Sequence, residues 1–368
     1  MTGPSRPTAA RENIARQAAG GQATAGQATA GQAAGHRAAP GQISVPQIPA
    51  GPPLARAGVD RAALRRGDPQ WLAEAWSRSR VLVVDPKGRA FCAAADSATP
   101  ELVFSSAEAA PAGERFFLGQ DQAGVPYFAV VSESPTPPHA GARLVSLREV
   151  GAELNDRDAG LLTTAASLVN WHARHRFSPM TGEATTPADG GWIRVDSAGQ
   201  HLFPRTDPAV IMLIHDGVAG PAGQCLLARN ATWRHRPGGR RFFSILAGFV
   251  EPGESAEAAV VREVYEEVGV PVSGLRYQAS QAWPYPGSLM LGFTGVGDPA
   301  QPLRLEPTEI AEARWFTRAE VAALLPERPD PTGAPYGEAP AGSPLALPGP
   351  ASIAHYLIHG WVAELEQS

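Results

Sequence analysis

The sequence predicts an α/β (α+β) fold preceded by a smaller β-rich part, on three observations. An Ala/Gly/Gln/Pro-rich stretch with almost nothing aromatic gives way near residue 57 to short β-prone runs. Strand-like and helix-like patterns alternate after residue 205. Within that alternation one helical segment carries three glutamates on a single face. At 368 residues, 43% hydrophobic and 18% charged, the chain has the length of about two domains plus a remainder. A net charge of −5 and a pI near 6.0 argue against a broad basic surface for nucleic acid. Cys92 and Cys225, far apart in sequence, can build neither a disulfide framework nor a cysteine zinc site. The longest apolar run, Ala209 to Ile214, is strand-sized and well short of the ~18 residues of a membrane span, so no membrane partner and a reducing cytoplasm are expected.

Residues 1–56 repeat Gly-Gln-Ala-Thr-Ala and offer little to bury, so they are expected to be a disordered tail that is dispensable for function. Val81–Val84, Phe91–Ala95, Leu102–Phe104 and Tyr127–Val131, separated by Pro, Gly and Asp, predict a small antiparallel β-rich domain over residues 57–150. Asn155-Asp156-Arg157-Asp158 starts a helix with Leu161, Leu162, Ala165, Leu168 and Val169 at helical spacing, which opens a connector over residues 151–205. In the last part, residues 206–368, strands are expected at Ala209–Ile214, Cys225–Arg229, Phe243–Val250, Leu289–Thr294 and Ala313–Phe316. Ser255–Val268 reads as a helix closed by Gly269, and Thr317-Arg318-Ala319-Glu320 as a capping box that opens a short one. Residues 326–350 are Pro/Gly-rich loop, and Ile353–Leu365 a closing helix. Helices against a mixed sheet place this part in the α/β class.

On a helix that starts at Ser255, Glu263, Glu266 and Glu267 fall at i, i+3 and i+4 and share a face. Like charges at that spacing cost a few tenths of a kcal/mol each, and hard carboxylate ligands suit Mg²⁺ or Mn²⁺ held together with phosphate oxygens. Arg262 beside them, and the loop Gly248–Glu254 ahead of them, argue against a merely solvated acidic face.

Gly248, Glu254, Arg262, Glu263, Val264, Glu266, Glu267, Gly269 and Val270 match every defined position of the Nudix box, so the segment resembles that family. The resemblance implies a Nudix α/β/α sandwich, hydrolysis of a nucleoside diphosphate linked to another moiety, and divalent metal on the helix carboxylates. Beyond the box, Ser280-Gln281-Ala282-Trp283-Pro284-Tyr285-Pro286-Gly287-Ser288 resembles the array of the NADH pyrophosphatase branch, with Ala282 and Tyr285 as mild departures. Two prolines hold Trp283 and Tyr285 in a low-entropy extended segment, and the Gln281 amide suits a ring carboxamide; a Pro-rich strand edge with core aromatics is the competing reading. The same branch implies substrate contacts at Phe249, Gln281 through Ser288, Ala354 and Arg148, and metal ligands at the Ala247 carbonyl, Glu263, Glu266, Glu267 and Glu309. It assigns general-base chemistry to Glu267 or Glu266, orientation of the glutamates to Arg262, and structural roles to Gly248, Glu254 and Gly269.

The implied reaction converts NADH or NAD⁺ to nicotinamide mononucleotide and AMP with Mg²⁺ or Mn²⁺; NAD at the 5′ end of RNA would fit the same pocket, and a homodimer is implied. The alternatives are a hydrolase of ADP-ribose or dinucleoside polyphosphates and a non-catalytic nucleotide sensor; the array disfavours the first and the intact box carboxylates the second. Members of the branch carry a four-cysteine zinc ribbon, whose positions here fall on Ser178, Thr181 and near Val195 and Ala198. None is a usual zinc ligand, so the connector is expected to be a metal-free, zinc-ribbon-like hairpin held by a small apolar core. Metal preference, the choice among NADH, NAD⁺ and capped RNA, and the role of the tail stay open.

Overall fold

Val81, Leu82 and Val84 have no solvent exposure, because β1 (Arg80–Val84) runs through the middle of the first sheet. This is a computed structural model, which describes residues 51–93, 100–232, 240–325 and 344–363, all of them within one unit, Ile43–Ser368. Residues 1–50, most of the arginine-containing loop after Trp233, and residues 326–343 of the expected Pro/Gly loop lie outside the described residues.

Ahead of β1 stands α1 (Pro69–Ser77), capped by Asp68, whose side chain accepts from the amides of Gln70 and Trp71. After β1 come β2 (Ala90–Cys92), β3 (Ser105–Ser106), β4 (Arg115–Gln120), β5 (Pro126–Val131) and β6 (Arg143–Val145). Their order is β4-β5-β1-β2-β6, with β3 on β1. The pairing is antiparallel except at β1–β5, which is parallel from Arg80↔Tyr127 to Val84↔Val131; the expectation of a purely antiparallel sheet is corrected there. Alternation along β4 and β5 explains the two cores: Phe116, Leu118, Tyr127 and Ala129 face one way, and Phe117 and Phe128 face Trp71 and Trp76 of α1 on the other.

A short helix, α2 (Leu147–Val150), opens on a Ser146–Glu149 capping box, and α3 (Asp156–Arg174) opens on Asn155, as expected. Helix α3 buries Leu161, Leu162, Ala165, Leu168 and Val169 against the first sheet. The connector forms a three-stranded meander, β7 (Thr186–Ala188), β8 (Ile193–Val195) and β9 (His201–Leu202).

The last part holds β10 (Asp207–His215), β11 (Gln224–Asn230), β12 (Arg241–Phe242), β13 (Leu246–Phe249), α4 (Ala256–Val268), β14 (Ser273–Trp283), β15 (Ser288–Val296), β16 (Ile310–Thr317), α5 (Arg318–Leu324), β17 (Leu345–Ala346) and α6 (Ile353–Ala363). The sheet order is β14-β15-β10-β11-β16 with β13 on β10, and β10–β15 is parallel. Every residue from Ala209 to Ile214 is buried because both faces of β10 are covered. Val210, Met212 and Ile214 meet Ala259, Val260, Val264 and Val268 of α4, while Ile211 and Leu213 meet Ile353, Leu357 and Ile358 of α6. The result is an α/β/α sandwich.

Three expectations change. The strand expected at Phe243–Val250 shortens to β13, Leu246–Phe249, because β12 ends at Phe242 and Ser244 makes an isolated bridge to Ala228. Residues 51–56, assigned to the tail, are folded: Pro53–Ala55 is a 3₁₀ turn and Leu54 is buried in the first core. The connector is held by polar contacts rather than an apolar core. Ser178 Oγ donates to Asp196 Oδ2 at 3.0 Å, and Asp196 Oδ1 accepts from the amides of Ala198 and Gln200. Buried Arg194 donates to Thr185 Oγ1, to the Thr185 carbonyl and to His172 Nδ1, at 2.6, 2.6 and 2.7 Å. His172 Nε2 in turn lies 2.8 Å from the Gly191 carbonyl, so the neutral ring donates there and accepts from Arg194. Among the described residues, no helix is long and apolar enough to cross a membrane.

Candidate active site

The box folds as a strand, a loop and a helix that bring its charged residues to one place. β13 pairs antiparallel with β10 from Met212↔Leu246 to Ala209↔Phe249, which fixes Gly248 over α4. A Cβ on Gly248 would overlap the Glu263 carboxylate, so only glycine lets the helix side chain lie against this strand. Ser255 caps α4 by accepting from the Ala258 amide, and Gly269 ends it at φ 74°, a left-handed cap that L side chains resist.

Arg262 is the hub. Its Nε and Nη2 donate to the two oxygens of Glu254, both at 2.8 Å, a bidentate fork. Nη2 also donates to the Phe249 carbonyl at 2.9 Å, and Nη1 to Glu263 at 2.9 Å and Glu266 at 3.0 Å. The fork to Glu254 raises the Arg262 pKa and draws that of Glu254 down to about 2. One guanidinium thus ties the loop, the strand and two helix carboxylates together.

Glu267 lies on the inner side of the same helix, 4% exposed. Its Oε2 is buried with no hydrogen-bond partner. Burial first, then the charges of Glu263 and Glu309, push its pKa up to about 8. The Glu263 carboxyl is also raised by burial, against the opposing pull of Arg262. A buried carboxylate oxygen without a donor, close to two more carboxylates, is a site that a hard divalent cation would relieve. The donor chemistry therefore fits such an ion. Among the described residues, however, no three Asp, Glu, His or Cys side chains stand close enough to share one. Arg262 draws Glu263 and Glu266 to itself, Glu266 points to solvent, and Glu309 stands exposed on the loop before β16. Ala247 and Phe249 are exposed on β13, the phenyl ring at 60%.

The array behaves differently from the reading that placed it against a ligand. Gln281 is 1% exposed and both ends of its amide are engaged. Its Oε1 accepts from the Leu54 amide and its Nε2 donates to the Ala351 carbonyl, each at 3.1 Å. It cannot read a ring carboxamide from there; it joins three distant segments of the chain. Trp283 and Tyr285 pack against the first core, edge to face at 5.1 Å, and the Arg148 guanidinium lies 4.1 Å from the Tyr285 ring centre. Arg148 and the array are thus brought together, as a stack between the two lobes. The Pro284 carbonyl accepts from Asn170 of α3 at 2.7 Å. Pro286 and Gly287 belong to the turn between β14 and β15, while Ala282 and Ser288 lie on the strands that flank it. Ala354 is buried on α6 under the sheet. Sequence reasoning missed Asn170 and Leu54 as partners of the array; no local pattern marks contacts made across 114 and 227 residues.

Comparison with known proteins agrees with this architecture. Residues 205–334 match the NUDIX domain, and residues 72–171 match the NADH pyrophosphatase-like rudimentary NUDIX domain. The NAD-capped RNA hydrolase NudC of Mycobacterium tuberculosis is 41% identical over 322 residues, covering 86% of this chain and 96% of that one. The human mitochondrial NAD(P)H pyrophosphatase NUDT13 is 38% identical over 222 residues, 59% of each chain. A solved Nudix hydrolase from Nitrosomonas europaea is 20% identical over 39% of this chain and 79% of its own, at a TM-score of 0.29, a likeness too partial to bear on the site.

Proposed function

We propose, for a chain that belongs to the Nudix family in its NADH pyrophosphatase branch, that it hydrolyses the pyrophosphate of NAD(H) and of NAD at the 5′ end of RNA. The observation that carries the site assignment is the arrangement around Arg262: Glu254, Glu263 and Glu266 held by one guanidinium beside buried Glu267, whose Oε2 has no hydrogen-bond partner. Water adds at one phosphorus and the P–O–P bond breaks, so that the nicotinamide mononucleotide half leaves with AMP, or with a 5′-monophosphate RNA end when the substrate is capped RNA.

Pyrophosphates are kinetically stable because their charge repels nucleophiles. Divalent metal, when bound, supplies charge neutralisation and a more acidic water; Glu263, Glu266, Glu267, Glu309 and the Ala247 carbonyl are the groups we assign to hold it, with Mg²⁺ or Mn²⁺ as the ion and no structural zinc. Glu267 takes the proton of the attacking water, with Glu266 as the other candidate base. A carboxyl near pKa 8 in the metal-free protein is poised for this, since a nearby cation would bring it into the charged, accepting form. Arg262 holds Glu263 and Glu266 in orientation, Glu254 braces Arg262, and Gly248 admits the Glu263 side chain. The exposed Phe249 ring offers a stacking face for a base. We place the enzyme in the cytoplasm as a homodimer; Phe177, Met180 and Phe203 of the connector, 64%, 85% and 66% exposed, are apolar surface of the kind that an interface covers.

The test is product analysis. Mass spectrometry after incubation with the protein and Mg²⁺ or Mn²⁺ should show nicotinamide mononucleotide with AMP from NAD⁺, and its reduced form with AMP from NADH. An NAD-capped oligonucleotide should give nicotinamide mononucleotide with a 5′-monophosphate RNA end, with ADP-ribose as the comparison substrate. Turnover of ADP-ribose alone would overturn the assignment.

A further inference from the structure

A cavity of about 470 Å³ lies between α3, the connector and the array turn, away from the helix carboxylates. That size suits a mononucleotide. Buried Trp171 and Leu168 of α3 contribute to its walls, with Trp192 and Pro284. Arg61 and Arg174 also line it, both exposed and neither paired with a carboxylate among the described residues. Among the described residues that wall it, Asp207 is the one acid, and Arg205 already engages it at 2.7 Å. Two of the lining residues carry buried polar atoms without partners, Thr163 Oγ1 and Trp171 Nε1.

These properties specify a ligand. An apolar molecule would leave Arg174 without a partner among the described residues, and Arg61 with only the Trp192 ring, 5.3 Å from its guanidinium. A bare phosphate would leave the Trp171 wall unused. A base attached to a phosphate satisfies both, by stacking and by charge-assisted hydrogen bonds. The cavity is also near the box. Asp207 and Ser288, on its wall, are register partners two residues before Ala209, which pairs with Phe249. Two residues of strand span roughly 7 Å.

We propose that this cavity is a second nucleotide subsite, which takes a base against Trp171 and a phosphate on Arg61 and Arg174. The choice of ligand rests on the nucleotide-pyrophosphatase reading above. The nucleotide has two sources, a free mononucleotide or a residue of an RNA chain whose capped end occupies the catalytic site.

The experiment compares the full chain with its R61A/R174A variant, and with R174E as a single exposed charge reversal should the double variant fold poorly. Calorimetry with AMP counts sites, and steady-state kinetics follow NADH and an NAD-capped oligonucleotide. The proposal expects two AMP sites per chain to become one, with NADH turnover within twofold of the parent. If the RNA chain is the source, KM for the capped oligonucleotide rises at least ~10-fold at unchanged kcat. Its salt dependence then becomes shallower by about 1.4 in log–log slope for two lost phosphate contacts to a single strand. Loss of the AMP site alone assigns the cavity to free nucleotide. One AMP site in both proteins, together with unchanged capped-RNA kinetics, overturns the proposal. Absence of NADH hydrolysis in the parent chain would instead overturn the reading it rests on, and the AMP count would still report on the cavity.

Discussion

Glu267 and Arg262 show how burial and charge divide labour among four neighbouring acids. Glu254, with both oxygens on Arg262, is fully ionised at neutral pH, whereas Glu267, four residues after Glu263 and buried with no donor on its Oε2, resists ionisation. Replacing Glu267 by Gln removes a carboxylate that folding has to desolvate, so the variant should keep its melting temperature while kcat on NADH falls at least ~10²-fold. Circular dichroism and steady-state kinetics decide this, and near-normal turnover with an unchanged metal requirement refutes the role. His172 offers a pH test remote from that site. Burial lowers its pKa, and Arg194, Glu114 and His175 are the charged or titratable groups acting on it. The unfolded chain therefore binds this proton at a higher pH than the folded one. Its contribution to stability is complete above the unfolded value near 6.5 and is lost as pH falls below it, by at most ~1.4 kcal/mol per pH unit. His172→Gln keeps an acceptor for Arg194 and a donor for Gly191 and should flatten that part of the melting-temperature profile. An unchanged slope would show that other groups set it. Residue identity was legible here, because the box spacing names its own carboxylates. Side-chain direction was not: Gln281 reads as a ligand contact until the backbone of Leu54 and Ala351 is seen on its amide.

Elements ended by local chemistry were the legible ones. Asn155, Ser255 and Thr317 cap helices where their spacing puts them, and Gly269 closes α4. Strand β14 escaped notice because it is an edge strand, mostly exposed over Ser273–Gln278, with no apolar alternation to announce it. Helix α1 carried an unused signal in Asp68-Pro69, a cap followed by a first-turn proline. The parallel β1–β5 pair depends on chain returning from some 45 residues away, and no local pattern encodes that. The connector gives the sharpest element-scale prediction. Its hairpin relies on Ser178, Asp196 and Arg194 hydrogen bonds, so elemental analysis should find no stoichiometric zinc and EDTA should stop catalysis with the near-UV spectrum intact. Ser178→Ala removes a buried donor and should cost about 1 kcal/mol in denaturant unfolding. One zinc per chain, or spectral collapse on chelation, would contradict this account.

For the whole molecule, the two lobes share more than a covalent connection. Arg148 stacks on Tyr285, Asn170 bonds Pro284, and Gln281 ties Leu54 to Ala351. A chain that begins at Gly51 should keep the parent's NADH rate and melt within a couple of degrees of it. A chain that begins at Ala57 loses buried Leu54 and the Arg56 bond to the Gly151 carbonyl, and should melt roughly 5–15 °C lower. Equal melting of the two would show that the 3₁₀ turn is ornamental. The Leu54–Gln281 bond also sets a schedule. On a ribosome adding about 5–20 residues per second, Leu54 is synthesised roughly 10–45 s before Gln281, 227 positions later. Throughout that interval the first core lacks its lid, and a chaperone or a neighbouring nascent chain has access to it. Slowing elongation before codon 281 should therefore lower the soluble yield more than slowing it after the last helix is made.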